Sequence, residues 1–371
     1  MKIAFITDTF HPMVDGITIA STQLGEGLRK RGNTVRYWAC TTKKAATYPN
    51  TKYFYGLPFP PYPSYGINLI SHSLEKSILD FSPDIIHIHT PGVLGLKTLL
   101  IAKRNKIPCV FTYHTNLHEQ IHYLPFSRTL SRFYRRTIDA TIRYFINRCD
   151  FTIAPTEYTR AMLGETQKIT IIPNPVETEI FYPRKKQKQF FKRILGVKSK
   201  NIVLVVGRII KEKNLDKVLD IATMMPECCF IFVGTGPYLN KLIQKSKSAG
   251  LLNSNVFFTG IVEHDALPMY YSNASLLFFP STYDTFGLVA LEALLCKLPV
   301  VIPKNSAQSE ILKGMGVITY KQNYELDEIK KALQENSEVS DRLVMKIRRR
   351  YNKERIAKDH ESLYSNILHN I

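Results

Sequence analysis

Short runs rich in Val, Ile and Phe alternate with helix-length stretches along almost the whole chain. The runs are KIAFITD (2–8), TVRYWA (34–39), IIHIH (85–89), CVFTYH (109–114), FTIAP (151–155), IVLVVG (202–207), CFIFVG (229–234), LLFFP (276–280) and PVVIP (299–303). Parallel strands are buried on both faces and are joined by helical crossovers. The alternation therefore predicts an α/β protein with parallel sheets that are covered by helices.

The runs fall into two sets, which are separated by the basic stretch PRKKQKQFFKR (183–193). A chain of 371 residues is longer than one hydrophobic core usually organises. We therefore expect a doubly wound domain over residues 1–182, a linker over 183–198 and a second doubly wound domain over 199–345. Residues 346–371 are expected to form a helical segment that packs back on the first domain.

The sequence has no apolar run near the roughly 20 residues that span a bilayer. Asp8 interrupts the first apolar run before a signal-peptide core is complete, so we expect a cytoplasmic location. The six cysteines are scattered and give neither CxxC spacing nor a disulfide framework. We expect buried thiols.

The net charge is +19, from 50 basic and 31 acidic residues. Such a charge indicates a negatively charged partner, and nucleic acid, anionic lipid and a phosphate-bearing substrate all qualify. A nucleic-acid-binding protein is the remote alternative, because it rests on charge alone and no helix-turn-helix, RNP or zinc pattern is present. We expect no nucleic-acid partner.

Polar and glycine residues follow the predicted strands, at the edge where doubly wound sheets bind ligands. They are DTFHPMVDG (8–16), His114, Arg208, GTGP (234–237) and Asp284. Arg208 and Lys213 lie between a strand and a helix with Asn214 as its expected cap, and two cations there can grip a diphosphate. The alternative is a solvated charged loop, and Lys211 is the cation that we expect to face solvent.

The segment STYDTFGLVALEALLCKLPVV (281–301) predicts a loop that opens a helix near Phe286. Free N–H groups at Phe286, Gly287 and Leu288 would form an anion site. Asp284 and Glu292 are candidate ligands for sugar and ribose hydroxyls. Their alternatives are a helix cap for Asp284 and a solvent-facing position for Glu292.

His114 ends a predicted strand, and its imidazole can donate or accept a hydrogen bond near neutral pH. His87 and His89 are expected to be structural, although His89 could share the role of His114. The sequence lacks GxGxxG and GxxxxGKS, which argues against dinucleotide oxidoreductases and P-loop enzymes. It also lacks Asp-x-Asp, the usual carboxylate pair that binds a divalent cation with a nucleotide sugar. We expect no metal and no cofactor, so the diphosphate would depend on Arg208, Lys213 and helix dipoles.

Several motifs together resemble the retaining glycosyltransferases of family 4. They are GRIIKEK (207–213), GTGP (234–237), DTFGLVALEAL (284–294), HTPGVLG (89–95) and TYHT (112–115). The resemblance covers essentially the whole chain. It implies a GT-B fold, two facing Rossmann-like domains with a central cleft, a nucleotide sugar bound mainly by the second domain, metal independence, and transfer with retention at the anomeric carbon.

The resemblance also implies roles for single residues. Arg208 and Lys213 match the diphosphate-binding pair, and Glu292 matches the carboxylate on the ribose. Asp284 matches an acid that touches the donor sugar, and His114 matches a histidine near the transferred sugar. Gly16 matches the glycine of the first loop that approaches the donor phosphate, and Gly234 is placed with the donor-binding residues. The chain departs from the family where Asp284 replaces a common Glu and Lys297 replaces a common Gly.

Three further stretches are similar to bacterial diacylglycerol glucosyltransferases: PFPPYPSYGINL (58–69), YHTNLHEQIHYL (113–124) and NRCDFTIAPTEYT (147–159). This similarity implies transfer of a hexose, glucose favoured, from a nucleotide sugar, UDP favoured, to a membrane lipid such as diacylglycerol. The alternatives are a GDP-mannose-dependent mannosyltransferase and a GT-B enzyme with a soluble acceptor.

A predicted helix over residues 127–148 offers an independent reason to expect a lipid acceptor. At about 100° per residue its arginines lie on one side: Arg128, Arg132, Arg135, Arg136 and Arg143. Apolar residues occupy much of the other side: Leu130, Phe133, Tyr134, Ile138, Ile142 and Phe145. Such a helix can lie on an anionic membrane, which predicts a peripheral protein on the cytoplasmic face. The alternative is an ordinary packed surface helix.

Overall fold

The computed structural model describes residues 1–13, 15–43, 46–59, 62–68, 73–114, 128–164, 166–197, 199–315, 317–335 and 338–369. The strands are β1 (Lys2–Thr7), β2 (Thr34–Thr41), β3 (Thr51–Tyr55), β4 (Leu57–Phe59), β5 (Tyr62–Ile67), β6 (Ile85–Ile88), β7 (Cys109–Thr112), β8 (Phe151–Ala154), β9 (Ile169–Ile171), β10 (Asn201–Val206), β11 (Cys228–Val233), β12 (Val256–Gly260), β13 (Leu276–Phe278), β14 (Val300–Pro303) and β15 (Ile318–Tyr320).

The helices are α1 (Gly16–Lys30), α2 (Leu74–Phe81), α3 (Val93–Arg104), α4 (Arg128–Arg148), α5 (Glu157–Leu163), α6 (Phe190–Leu195), α7 (Leu215–Met224), α8 (Leu239–Ser248), α9 (Leu267–Asn273), α10 (Leu288–Leu295), α11 (Ala307–Ile311), α12 (Glu325–Gln334), α13 (Asp341–Tyr351) and α14 (Lys353–His369). Two short 3-10 turns, Lys211–Lys213 and His264–Ala266, precede α7 and α9. Across the residues described, no helix is both long enough and apolar enough to span a bilayer.

The chain divides into two compact units, each built on its own parallel sheet. The first unit comprises Met1–Pro175 and Tyr351–Ile371, and the second comprises Val176–Arg350. The first sheet has seven strands in the order β3-β2-β1-β6-β7-β8-β9, and the second has six in the order β12-β11-β10-β13-β14-β15. Each sheet reverses its strand order once, at β1 and at β10. These observations confirm the predicted α/β class with two doubly wound sheets.

Alternate residues of β1 belong to two separate cores of the first unit, as the two-residue period of a strand requires. Ile3 and Phe5 pack in a core that also contains residues of α1 and α14. Ala4 and Ile6 pack in a core with residues of α2, α3 and α4. Helices therefore cover both faces of this sheet, which is why its central strands are continuously apolar.

The boundary between the units differs from the predicted linker. Residues 176–198 belong to the second unit, and the expected irregular stretch contains α6. The backbone N–H of Arg184 donates to Ser272 Oγ at 2.8 Å, and the Phe191 ring packs near that of Tyr270. Farther along, the Arg348 guanidinium donates to the carbonyl oxygens of Thr178 and Phe181. These contacts tie residues 176–198 to helices α9 and α13 of the second unit.

The C-terminal region contains two helices, α13 and α14, and the chain passes from the second unit to the first at residues 350 and 351. Helix α14 packs closely on α1, since a Cβ at Gly27 would lie 2.5 Å from the Lys353 carbonyl oxygen. The ion pair between Lys30 and Glu354, 2.8 Å apart, supports the same contact. Elsewhere in the fold, all six cysteines are free and buried, which confirms that prediction.

Candidate active site

Lys213 and Asp284 meet at the ligand edge of the second sheet. Lys213 Nζ lies 3.3 Å from Asp284 Oδ1, and the lysine also lies 5.4 Å from the centre of the Phe279 ring. The two residues follow β10 and β13, which are neighbours at the point where the strand order reverses. Arg208 and Lys213 line one small pocket that opens beside β10. Lys211 is exposed, as predicted.

The glycines of this edge allow two loops to pack against each other. Gly207 has φ 130° and Gly234 has φ 137°. A Cβ at Gly234 would lie 2.1 Å from the Gly207 carbonyl oxygen, which no side chain could tolerate. Gly234 therefore allows the loop after β11 to pack closely on the loop after β10, which contains Arg208.

Helix α10 begins at Leu288, with Gly287 at its N-cap in the left-handed region at φ 83°. The predicted start near Phe286 is thus two residues early, and the Phe286 side chain is buried. A Cβ at Gly287 would lie 2.4 Å from Gln308 Cγ, so this position requires glycine for both conformation and space. Asp284 does not cap the helix; its Oδ2 is buried and has no hydrogen-bond partner within the described ranges.

Glu292 is 3% exposed, so it is not the solvent-facing residue of the alternative interpretation. The Tyr271 hydroxyl donates to Glu292 Oε2 at 3.0 Å. His264 Nε2 lies 3.4 Å from Glu292 Oε1, and His264 Nδ1 lies 2.8 Å from Glu177 Oε2. The carboxylate that was predicted to hold ribose is therefore itself held by a tyrosine and a histidine.

Burial alone would lower the pKa of His264, but the hydrogen bonds that its ring donates to the Glu177 and Glu292 carboxylates outweigh this effect and raise that pKa to about 10. His264 is therefore an imidazolium at neutral pH. Sequence reasoning missed His264, Glu177 and Tyr271, whereas Asn214, the expected cap, does occupy the N-cap of α7 but without a capping side-chain bond. The first three come from separate segments, so no spacing in the sequence links them.

The first unit holds a line of buried histidines that ends at His114. His89 Nδ1 lies 2.9 Å from His114 Nε2, and the His87 and His89 rings are stacked with centres 4.1 Å apart. His87 is also hydrogen-bonded to Thr112 and Tyr364. Burial, followed by the charge of His360, lowers the pKa of His114 to about 3. The ring of His114 is therefore neutral at physiological pH.

Gly16 is the first residue of α1, just after the N-cap residue Asp15, whose carboxylate accepts the Thr18 N–H at 2.8 Å. A Cβ at Gly16 would meet no described atom within 4 Å. Asp8, in the same loop, accepts hydrogen bonds from the Thr90 hydroxyl and the Leu94 N–H. These bonds tie the loop after β1 to the N-terminus of α3.

Helix α4 divides into a buried half and an exposed half. Ile138, Ile142 and Phe145 are buried in the core of the first unit. By contrast, Leu130 is 44% exposed and Phe133 is 67% exposed. Four of the predicted arginines are also exposed: Arg132, Arg135, Arg136 and Arg143. The apolar side that the sequence predicts is therefore packed in the core only in its C-terminal part, whereas Leu130 and Phe133 are exposed near the N-terminal end.

The side chain of Arg128 and residue 127 lie outside the described residues. Within the part of the chain that is described, no group of three or more His, Cys, Asp or Glu side chains is arranged to hold a metal ion.

Comparison with known proteins agrees with this architecture. Residues 14–180 match the model of Glycosyltransferase Family 4, and residues 186–353 match that of Glycosyl transferases group 1. An alpha-monoglucosyldiacylglycerol synthase of Acholeplasma laidlawii is 27% identical, over 99% of this chain and 98% of the relative. A synthase of the same name from Streptococcus pneumoniae is 27% identical, over 86% of this chain and 75% of its own length.

Among solved structures, a sucrose-phosphate synthase of Thermosynechococcus elongatus aligns with a TM-score of 0.78 at 20% identity, and the alignment covers 100% of both chains. This likeness concerns the fold, which is GT-B. The two matched models follow one another along the chain in the same order as the two parallel sheets. The protein therefore belongs to the glycosyltransferases, with a family 4 domain followed by a group 1 domain.

Proposed function

We propose that this protein is a retaining, metal-independent hexosyltransferase that moves glucose from UDP-glucose to a membrane lipid such as diacylglycerol. The observation that carries the proposal is the Lys213–Asp284 pair, 3.3 Å apart at the strand-reversal edge of the second sheet. A cation and a carboxylate at that edge suit the two parts of a sugar nucleotide, its diphosphate and its sugar hydroxyls.

In the proposed donor complex, Arg208 and Lys213 bind the diphosphate, with support from the N-terminus of α10 around Phe286, Gly287 and Leu288. Gly287 is the N-cap of that helix, and the first N–H groups of α10 have no carbonyl partner within the helix. Because these donors supply positive charge and dipoles, the proposal includes no metal ion and no cofactor.

Asp284 would bind a hydroxyl of the transferred sugar through its buried Oδ2, and Glu292 would bind the ribose. Gly234 and Gly16 would allow the backbone to approach the donor. His114 would contact the sugar as a neutral hydrogen-bonding group, because the pKa of its ring is lowered to about 3. A neutral imidazole can stabilise a developing charge by hydrogen bonding without itself exchanging a proton.

The lipid acceptor is proposed from the names of the relatives and from the exposed half of α4. Phe133 is 67% exposed between Arg132 and Arg136, which combines an aromatic side chain that can insert at a lipid interface with cations that bind anionic headgroups. We propose that the protein binds the cytoplasmic face of the membrane through this surface, and that nucleic acid is not a partner.

The test is to incubate the protein with a panel of UDP- and GDP-sugars, mixed lipid extract and soluble acceptors, and to identify each product by mass. A glucosylated diacylglycerol from UDP-glucose is the expected product. A mannolipid from GDP-mannose would replace the donor assignment, and a product with a soluble acceptor only would replace the lipid. Addition of EDTA should leave the rate unchanged, whereas a loss that metal restores would contradict metal independence.

A further inference from the structure

His264 occupies an unusual position between two carboxylates of the second unit. It lies in the 3-10 turn before α9, 2.8 Å from Glu177 through Nδ1 and 3.4 Å from Glu292 through Nε2. The imidazole is 21% exposed, and the side chains of Glu177 and Glu292 are 14% and 4% exposed. We propose that His264 is a positioning residue that orients Glu292 toward the ribose hydroxyls of the nucleotide donor. The inference rests on the proposed donor role of Glu292.

The hydrogen-bond geometry suits a protonated His264. Both of its ring nitrogens face carboxylate oxygens, and an imidazolium can donate a hydrogen bond to each of them. The shorter contact, with Glu177, fixes the ring so that Nε2–H points at Glu292. A carboxylate that orients one ring nitrogen so that the other acts on a ligand-binding group is a recurrent arrangement.

The positive charge of His264 lies beside a buried carboxylate. Burial of a carboxylate such as Glu292 is costly unless the group is paired and hydrogen-bonded. The adjacent groups Tyr271 and Cys296 cannot supply a positive charge, because a phenol or a thiol is either neutral or anionic. The His264 imidazolium contacts Glu292 directly and supplies one, and Glu177 is the second carboxylate that contacts the same ring.

Glu292 still has capacity for a ligand. Each carboxylate oxygen has about two lone-pair sites, and each oxygen uses one, for His264 and for Tyr271. The remaining pair of acceptor sites matches two neighbouring hydroxyl donors, which is what the 2′ and 3′ positions of ribose present. The 3.4 Å contact is also long for a hydrogen bond, so Oε1 can accept a hydroxyl without losing its counter-ion.

The test compares a nucleoside diphosphate with its 2′-deoxy and 3′-deoxy analogues by isothermal titration calorimetry, with UDP as the first probe and GDP as the second. Wild type should bind the ribonucleotide about tenfold more tightly than either analogue, as expected for a hydroxyl bonded to a charged acceptor. In His264→Gln this ratio should fall to within about twofold of one. The affinity for the deoxy analogues should stay near the wild-type value, which a merely structural role would not preserve.

A matched control and a second variant make the result decisive. Asp265→Asn changes an exposed acid in the same turn and should keep the wild-type ratio. Glu177→Gln leaves His264 in place but removes one of the two carboxylates that raise the pKa of its ring. Its ribose preference should weaken between pH 6 and pH 9, whereas the preference of wild type should hold throughout that range.

Two outcomes overturn the inference alone. In the first, His264→Gln keeps the wild-type ratio; in the second, it loses affinity for the ribonucleotide and its analogues to the same extent. A pH response of Glu177→Gln as flat as that of wild type also contradicts it. If wild type binds the nucleotide without any preference for ribose, the donor role of Glu292 fails together with the inference.

Discussion

At the scale of single residues, Lys213 offers the sharpest test of the donor site, because Lys211 lies two positions away and is exposed. Lys213→Ala and Arg208→Ala should each weaken nucleoside diphosphate binding about 10- to 100-fold, since a hydrogen bond to a charged group contributes about 1.5–3 kcal/mol. Lys211→Ala should bind normally. Calorimetric titration measures the affinities and circular dichroism checks the fold. Unchanged affinity in both Arg208 and Lys213 variants would remove these residues from the site.

His114 should act on turnover rather than on donor affinity. A hydrogen bond that strengthens as the glycosidic bond breaks lowers the barrier without much change in ground-state binding. We expect His114→Ala to lower kcat about 100-fold and to change the donor KM by less than about threefold. Since the pKa of His114 is lowered to about 3, its own ionisation should leave no step in the kcat profile between pH 5 and 8. Equal losses in kcat and affinity would make it a binding residue.

At the scale of elements, the strands that the sequence predicts are the ones that the sheets bury. Each of the predicted runs corresponds to a strand, and β6, β7, β11 and β14 are buried along their whole length. Of the six missed strands, β3, β9, β12 and β15 are the four outer strands of the two parallel sheets, and β4 and β5 form a separate two-stranded sheet. An edge strand has a neighbour on one side only and keeps partly exposed residues, so it lacks the continuous apolar run of a central strand.

The sequence predicts the residues of the proposed donor site from their positions after central strands. Arg208, Lys213 and Asp284 could be predicted because they directly follow central strands, and the sheet topology then brings those loops together. The roles of His264 and Glu177 could not be predicted. His264 lies in a turn and Glu177 in the segment between β9 and β10, and both approach Glu292 only through tertiary packing. Periodicity placed Phe133 with the apolar residues of α4, but 3.6 residues per turn does not reveal where along a helix its contact with the core ends.

Helix α4 carries the membrane prediction. Replacement of Arg132, Arg135 and Arg136 by Gln removes about 3 kcal/mol of attraction to anionic vesicles if the charges add. Vesicle binding should therefore fall by more than about 100-fold, while nucleoside diphosphate binding stays normal. Flotation with phosphatidylglycerol vesicles measures the first quantity, and higher salt should weaken wild-type binding in the same direction.

A control with the same change in net charge replaces three exposed lysines of the second unit by Gln: Lys241, Lys247 and Lys313. It should bind vesicles far better than the α4 variant. Phe133→Ser should weaken binding without any change in charge, since the exposed ring is proposed to insert at the interface. Wild-type vesicle binding that survives the arginine changes would make α4 an ordinary surface helix.

At the scale of the whole molecule, the two units contain histidines whose pKa values are shifted in opposite directions. Burial lowers the pKa of the histidine line in the first unit, which comprises His87, His89, His114 and His360. In the second unit, the pKa of His264 is raised to about 10. A lowered pKa gives stability that is present above the unfolded value near 6.5 and is lost as pH falls. A raised pKa gives stability that is present below 6.5 and is lost as pH rises toward 10.

The single tryptophan, Trp38, is fully buried in the first unit, so its fluorescence reports the unfolding of that unit. Between pH 6.5 and pH 4.5 the thermal midpoint measured by Trp38 fluorescence should fall. The reason is that the histidines of the unfolded chain bind protons in this range, whereas the same histidines stay neutral in the native first unit. Asp8 opposes this trend, since burial raises its pKa, but it is one group against four rings. A midpoint that stays constant or rises on acidification would contradict the neutral histidine line.

The second unit should respond on the other side of neutrality. Between pH 6.5 and pH 8.5 the unfolded chain loses the proton of His264 while the native ring keeps it, so stability should fall by roughly 1 kcal/mol per pH unit. Buried thiols of the second unit, such as Cys228 and Cys296, have raised pKa values and add a decrease of the same sign near pH 8.5, where unfolded cysteine ionises. Scanning calorimetry should therefore show an alkaline decrease that is larger in wild type than in His264→Gln, with the acid response of Trp38 unchanged in that variant. An alkaline decrease of the same size in both proteins would mean that the Glu177–His264–Glu292 contacts do not hold the proton in solution.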